Sequence, residues 1–205
     1  MSPEVVAALA DFVKKGGRML LLGFEMGDRH HDANLNDHAA EFGLYVEADI
    51  VGPPRQGASK PFGVAVDYEV GLGDRHALTE GLAAVRLANV QTLRVLPLGA
   101  EWLRVGKNVA CRPSRETVEY RDGVFTEPGE KRVEPNAGAG WLAVAAEAPR
   151  GLCGEGAVQA VGTWDLLGRR DAFGHRDNLI LLGRLFEWLS GRQITDSFMV
   201  AVGGD

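Results

Sequence analysis

The amino-acid sequence predicts an α/β fold. Helix patterns alternate with apolar strand patterns near both ends of the chain, whereas the middle contains many short strand patterns and little helix. The chain has 205 residues, which suits one large domain. We therefore expect a single domain over residues 1–205, with a β-rich insertion at about residues 91–140.

The chain opens with a strong helix pattern, "SPEVVAALADFVKK". Ser2 suits the N-cap and Pro3 the first helical position, and Gly16 and Gly17 end the pattern. Residues 18–24, "RMLLLGF", then predict a central strand, because they are apolar along nearly their whole length. Four apolar residues at helical spacing predict the buried stripe of the helix: Val5, Leu9, Phe12 and Val13.

The middle of the chain alternates between short elements and turns. A second helix is predicted from Ala33 to Gly43, and a strand at residues 44–51 follows it. Residues 117–128 predict an antiparallel hairpin, since Asp122-Gly123 is a favoured two-residue turn. Other short strands are predicted at 64–68, 84–90, 92–98 and 108–113, with a helical turn at 76–82.

The last part of the chain predicts two strands and a long helix. The strands, at 141–147 and 157–163, are joined by a segment in which Cys153 is expected to lie in a β-turn. The helix is predicted over residues 178–191, with Asp177 as its N-cap. Its buried side is expected to carry Leu179, Leu182, Leu185 and Leu189, and residues 196–202 are a candidate terminal strand.

Composition and charge argue against several classes of protein. The net charge is −6 and is spread without long runs of one sign, so no nucleic-acid partner is expected. No apolar run approaches the roughly 20 residues of a membrane span, so no membrane partner is expected. Cys111 and Cys153 are too few for a disulfide scaffold. They fit free thiols in the cytoplasm, and a single disulfide between them stays open as an alternative.

The order of the elements is similar to that of the class I glutamine amidotransferase-like superfamily. Within it, the chain resembles non-catalytic branches, namely the domain shared by gliding-motility and intraflagellar-transport proteins and related bacterial domains. The resemblance implies a three-layer flavodoxin/Rossmann-like fold with a mostly parallel sheet. It is carried by five stretches: "LADFVKKGGRMLLLG", "NLNDHAAEFGLYVEADIV", "HALTEGL", "GEGAVQAVGTWDLL" and "DNLILLGRLFEWLSG".

The resemblance also implies that the usual first strand–helix–strand unit is lacking, because in that fold this unit precedes the helix that starts at Ser2. That unit is missing, supplied by another chain, or replaced by the candidate terminal strand at residues 196–202. If it is missing, the sheet edge is left open, which is a liability unless something covers it. A protein partner or a homo-oligomer is therefore expected at that edge.

The catalytic residues of active superfamily members are not matched. The resemblance aligns their G-x-C-x-G nucleophile turn with "GFEMG", where Glu25 stands in place of the cysteine. A carboxylate cannot replace the thiolate in amide hydrolysis. Their H-x-E signature is aligned with Thr163, Trp164 and Asp165. Classical glutaminase activity is therefore not expected, and neither is a cofactor.

The stretch "GDRHHDANLNDH", residues 27–38, has three interpretations. It is a helix cap within a polar loop, a loop that contacts a ligand, or a metal site. The first is favoured, because polar side chains suit a helix start and a contiguous run rarely supplies several metal ligands in correct geometry. No metal is therefore predicted.

A binding site is expected beyond the carboxyl ends of the strands, where ligands bind in open α/β sheets. "GFEMGDRHHDAN" follows one such end and "GTWDLLGRRDAFGHRDN" another, so the two stretches converge if their strands are neighbours. Trp164 also fits plain packing, and the start of the last helix fits residues 175–177 without any ligand. The candidate ligand-binding residues are Glu25, His31, Asn34, Trp164, Asp165, His175 and Asn178.

Three functions are consistent with these patterns. The preferred one is a non-catalytic binding or assembly module, because both catalytic signatures are absent and the resemblance implies that the first strand–helix–strand unit is lacking. The second is a hydrolase or lyase of altered mechanism, with Glu25 as general base assisted by His30 or His31. The third is a domain that senses a small metabolite without turnover.

Overall fold

The computed structural model describes residues 2–23, 35–47, 49–52, 66–69, 76–105, 110–113, 119–121, 124–126, 142–167 and 175–192. Helices in these ranges are α1 (Pro3–Lys14), α2 (Leu35–Glu41), α3 (Arg150–Cys153) and α4 (Arg176–Leu189), with a 3₁₀ turn at Asp165–Leu167. The strands are β1 (Arg18–Leu22), β2 (Leu44–Val46), β3 (Asp49–Gly52), β4 (Val66–Glu69), β5 (Ala84–Leu87), β6 (Leu93–Val95), β7 (Ala100–Val105), β8 (Ala110–Pro113), β9 (Glu119–Arg121), β10 (Val124–Thr126), β11 (Leu142–Glu147) and β12 (Ala157–Val161).

A four-stranded sheet in the order β1-β12-β11-β7 forms the centre of the described structure. β1 and β12 are parallel, whereas β12 is antiparallel to β11 and β11 is antiparallel to β7. The α/β class is confirmed, and this sheet is mixed. β11 and β12 run antiparallel because residues 148–156, which join them, are fewer than a parallel crossover needs.

Four two-stranded pairs accompany the central sheet: β2-β6, β3-β8, β4-β5 and β9-β10. The β9-β10 pair is the predicted hairpin, and it pairs Arg121 with Val124 in antiparallel register. β7 falls within the predicted insertion at 91–140 and yet is a strand of the central sheet. The single-domain assignment stays a prediction, and the candidate terminal strand at 196–202 lies outside the described residues.

Each face of the central sheet carries its own apolar cluster, which gives three layers. Successive residues of β12 point to opposite faces, so Val158 and Val161 belong to different clusters. α4 packs on one face through Leu181, Leu185 and Trp188. α1 packs on the other face through Ala10 and Val13, and α2 packs there through Ala39 together with Phe42, which follows the helix.

The buried stripes of the two long helices differ from those predicted. In α1, Val13 is buried, but Val5 and Phe12 are 43% and 54% exposed. The Phe12 ring instead lies against Gly17, where a Cβ atom would be 2.5 Å from the ring carbon Cζ. In α4 the buried face carries Asn178, Leu181, Leu185 and Trp188, so the predicted leucine stripe is rotated partly away from the core.

The segment around Cys153 is a one-turn helix, α3, and the predicted β-turn there is wrong. The helix ends at Gly154, which has a φ of 62° and lies against the Lys14 carbonyl oxygen at the end of α1. Cys153 is a free, buried thiol whose pKa is raised by burial. It is therefore a packing residue between α1 and β12, and no disulfide joins it to Cys111.

Candidate functional site

The two stretches predicted to converge do follow neighbouring strands. β1 and β12 pair in parallel with Leu22 opposite Val161, so Gly23 and Gly162 lie side by side at the carboxyl ends. The Gly23 amide donates to the Val161 carbonyl at 2.8 Å. A Cβ on Gly23 would lie 2.9 Å from the Gly162 carbonyl carbon, so glycine is required by this close approach.

The chain itself crosses this end of the sheet. Residues 88–92 pass over the strand ends, and the Gln91 amide donates to the Gly162 carbonyl at 2.7 Å. A Cβ on Gly162 would overlap the Gln91 carbonyl oxygen. The Gln91 side chain is fully buried, and its Oε1 would be 2.7 Å from a Cβ on Gly23. Gln91 therefore occupies the space beside Gly23 and Gly162, where the sequence predicts a ligand.

Polar side chains of the "GTWDLL" stretch hold the crossing in place. The Thr163 hydroxyl donates to the Ala88 carbonyl at 2.8 Å and accepts from the Asp165 amide at 3.0 Å. The Asn89 side chain donates to the Asp165 carboxylate at 2.9 Å. Asn89 has a φ of 49°, a left-handed conformation that asparagine tolerates better than most residues. Thr163 and Asp165 are both buried, so these bonds are shielded from water.

The start of α4 holds the residues just before the crossing. The Asp177 carboxylate accepts from the Ala83 and Ala84 amides at 2.7 and 3.0 Å. The Asn178 side chain accepts from the Arg86 amide at 2.7 Å and donates to the Arg86 carbonyl at 2.5 Å. Residues 83–92 are thus held at six positions, and we call them the clamped segment. The six are Ala83, Ala84, Arg86, Ala88, Asn89 and Gln91.

The predicted capping role of Asp177 is wrong. His175 stands at the N-cap of α4, and its side chain makes no capping hydrogen bond. Asp177 is inside the first turn, where its charge suits the helix dipole while its oxygen binds the clamped segment.

The structure places the predicted site residues in three groups. Asp165 and Asn178 come together on the clamped segment and use their polar atoms to bind it. Trp164 is 46% exposed, and His175 is half-buried, with no described partner for its Nδ1. Glu25, His30, His31 and Asn34 lie outside the described residues, so a catalytic role for Glu25 with either histidine stays a prediction.

A polar network that the sequence did not indicate lies on the face of the sheet that carries α4. His76 Nε2 and the Glu147 carboxylate are 2.9 Å apart, and the His76 ring stacks on Trp102 with centroids 5.7 Å apart. The Trp102 indole donates to the Gln159 side chain at 2.6 Å. Gln159 is the cross-strand neighbour of Glu147, so the four side chains form a closed ring.

The ring of interactions leaves His76 little capacity for chemistry. Its Nδ1 accepts from the Leu78 amide at 3.3 Å, so Nε2 carries the proton and donates to Glu147. The hydrogen bond from His76 holds the pKa of Glu147 below its ordinary value, and partial burial opposes that effect. His76 and Glu147 are far apart in the sequence, which is why no local pattern revealed the pair.

Neither a metal-binding cluster nor a membrane-spanning helix is found in the described part of the chain. No group of three or more histidine, cysteine, aspartate or glutamate side chains there is arranged to hold a metal ion. None of the helices in those ranges combines the length and the apolar character of a membrane span.

No known protein family matches the chain, and no curated protein sequence matches it. A solved structure described as the "mmIFT52 N-terminal domain" has a similar fold, with a TM-score of 0.60 and 19% sequence identity. The alignment covers 95% of this chain and 74% of that chain. This likeness shows a similar α/β fold. It does not extend to the glutamine amidotransferase-like superfamily.

Replacing Gly162 with alanine tests the crossing. The added Cβ meets the Gln91 carbonyl, so we expect Gly162→Ala to lower the free energy of unfolding by about 3 kcal/mol. Gly151→Ala is the control, because no atom lies within 4 Å of its added Cβ, and its effect should stay within about 0.5 kcal/mol. Urea denaturation measures both. Equal stability of the two variants would contradict the close approach of Gln91 to Gly162.

Replacing Asn178 with aspartate tests the clamp on Arg86. At pH 7 the new carboxylate cannot donate to the Arg86 carbonyl, so we expect a loss of about 2 kcal/mol. Below about pH 4 the acid is protonated and can donate, so the difference from the wild type should shrink. Thermal unfolding of both proteins at matched pH measures this. Arg176→Ala is the control, because Arg176 is exposed. A loss of stability in Asn178→Asp that does not change with pH would argue against the pair of hydrogen bonds between Asn178 and Arg86.

The lowered pKa of Glu147 predicts a pH-dependent contribution to stability. A carboxyl whose folded-state pKa is depressed stabilises the fold above its unfolded-state pKa of about 4.3. This contribution is lost as the pH falls through the folded-state pKa. Wild type should therefore exceed Glu147→Gln in stability at pH 7, with the difference closing in acid. Denaturant titrations from neutral to acid pH check this, with exposed Glu155→Gln as the control. A constant difference would refute the assignment.

Proposed function

We propose that this chain is a non-catalytic, glutamine amidotransferase-like α/β domain that acts as a binding or assembly module. The observation that carries the proposal is the clamped segment, which crosses the strand ends where an open α/β sheet would bind its ligand. The side chains of the predicted site residues Asp165 and Asn178 form hydrogen bonds with that segment. The fold likeness to the mmIFT52 N-terminal domain is consistent with this role.

The proposed contact surface is the edge of β1. Among the described strands, β1 is terminal in the central sheet and has β12 as its neighbour. Residues 19–22 of β1 are all apolar, whereas exposed edge strands usually carry charges or proline that discourage pairing. An apolar edge of this kind favours a partner, which is either a second copy of the chain or another protein. We also place the domain in the cytoplasm, because the free thiol of Cys153 suits a reducing compartment.

The test is the native mass of the tagged chain in extracts of the source cells, measured by size-exclusion chromatography with light scattering. We expect a mass well above the 22.0 kDa of one chain. Leu20→Lys places a charge on the β1 edge and should reduce the mass to that of one chain. Leu98→Lys adds the same charge at a surface position, because Leu98 is 95% exposed and lies next to β7 at the other side of the sheet. Leu20 is half-buried, so the fold of its variant needs a check of its own.

Circular dichroism of both purified variants establishes that each is folded. A single-chain mass for the wild type in the extract would overturn the assembly proposal. An assembly that survives Leu20→Lys in a folded protein would overturn the role of the β1 edge.

A further inference from the structure

A second apolar row on α4 lies beside the buried face of that helix. Leu179, Leu182, Phe186 and Leu189 follow one another at spacings that place them on one side of a helix. The three leucines are half-buried, and Phe186 is 56% exposed. We call these four residues the outer row of α4. A large exposed aromatic within an apolar row is typical of a contact surface.

The contacts of α4 show which way the outer row faces. On the opposite flank, Arg184 donates to the carbonyls of Leu78 and Glu80 at 3.2 and 2.7 Å. That turn begins at His76, which binds Glu147 of β11 and stacks on Trp102 of β7. The Arg184 flank therefore faces the β11-β7 side of the sheet. The outer row faces the β1 side.

β1 lies under the carboxyl-terminal part of α4. The Arg18 guanidinium donates to the Trp188 carbonyl at 2.6 Å and lies over the Trp188 ring. Leu20 and Leu22 are half-buried on the same face of the sheet as α4. The edge of β1 and the outer row of α4 are thus parts of one continuous surface.

The hydrogen bonds of β1 fix which backbone groups point to the edge. The Gly23 amide donates to β12, and backbone groups alternate in direction along a strand. The amides of Met19 and Leu21 therefore also face β12. The amides and carbonyls of Arg18, Leu20 and Leu22 face away from β12, and another β-strand is the structure that satisfies such an alternating row.

We propose that a second copy of this chain covers the surface, with the two β1 strands antiparallel about a two-fold axis at Leu20. This inference rests on the proposed assembly function. Leu20 then pairs with its own copy and Arg18 pairs with Leu22 of the copy, so every outward group of these three residues gains a partner. No like charges face each other in this register.

Two-fold symmetry also accounts for the outer row. An axis perpendicular to the sheet keeps α4 and its copy on the same face, so the two outer rows meet above the joined strands. A single added strand would satisfy the backbone of β1 but would bring no helix to cover Phe186. A whole second copy brings its own α4 and covers both parts of the surface.

The first test is the mass of the purified chain alone, measured by sedimentation velocity over a range of concentrations. We expect twice the 22.0 kDa of one chain at high concentration. Phe186→Asp should raise the dimer dissociation constant at least about tenfold, because it buries an unpaired charge in the interface. Leu98→Asp makes the same change at an exposed leucine near β7 and should leave the constant unchanged.

The second test is residue-resolved hydrogen exchange, which does not depend on any variant. The amides of Leu20 and Leu22 should exchange more slowly as the protein concentration rises. The amides of Met19 and Leu21 should be protected at every concentration, because they face β12. Concentration-independent exchange at Leu20 and Leu22 would overturn the dimer.

The two proposals fail in different ways. A purified chain that stays single while the extract assembly is lost in Leu20→Lys would overturn the second copy and retain the assembly function, with another protein as the partner. A single chain in both the purified and the extract measurements would overturn both proposals.

Discussion

The contact between Gly162 and Gln91 is the constraint on which the described fold depends. β12 is an inner strand of the central sheet, and its next residue must let another part of the chain pass at backbone distance. Only a residue without a Cβ allows this, and the amide of Gln91 then binds the Gly162 carbonyl. Because this contact fixes residues 88–92, it also fixes the strands on either side of them, β5 and β6. These strands contribute Val85, Leu87 and Leu93 to the two apolar clusters.

The clamped segment shows why so many polar residues are buried at this place. A segment that crosses the end of a sheet cannot use the ladder of that sheet, so its backbone groups need side-chain partners. Thr163, Asp177 and Asn178 supply them, at a net gain of about 1 kcal/mol for each hydrogen bond and a larger loss if one partner is removed. Polar residues clustered at the carboxyl ends of strands therefore have a structural explanation in this molecule. Such a cluster in a sequence is not sufficient to assign a ligand.

The sequence alone was sufficient to predict the helices and strands, but it was not sufficient to predict how they pack. The apolar run of β1 and the glycines after α1 predicted a strand and a helix end, because local backbone preferences decide both. The buried face of α4 was not predictable from leucine spacing, since Asn178 and Trp188 are buried there through contacts with residues distant in the chain. Asp165 and Asn178 could be selected as site residues from their positions. Their partners, Asn89 and Arg86, could not, because tertiary structure alone brings those residues together.

The hydrogen bonds of the clamped segment and of the His76–Glu147 network leave the edge of β1 as the candidate contact surface. The clamped segment covers the carboxyl ends of β1 and β12. On the face that carries α4, the His76–Glu147 network uses both ring nitrogens of its histidine. The edge of β1 combines apolar side chains, outward backbone groups and the outer row of α4 on one surface. Such a surface is stabilised most by another strand with its own helix, and that is why association is the function that this fold supports best.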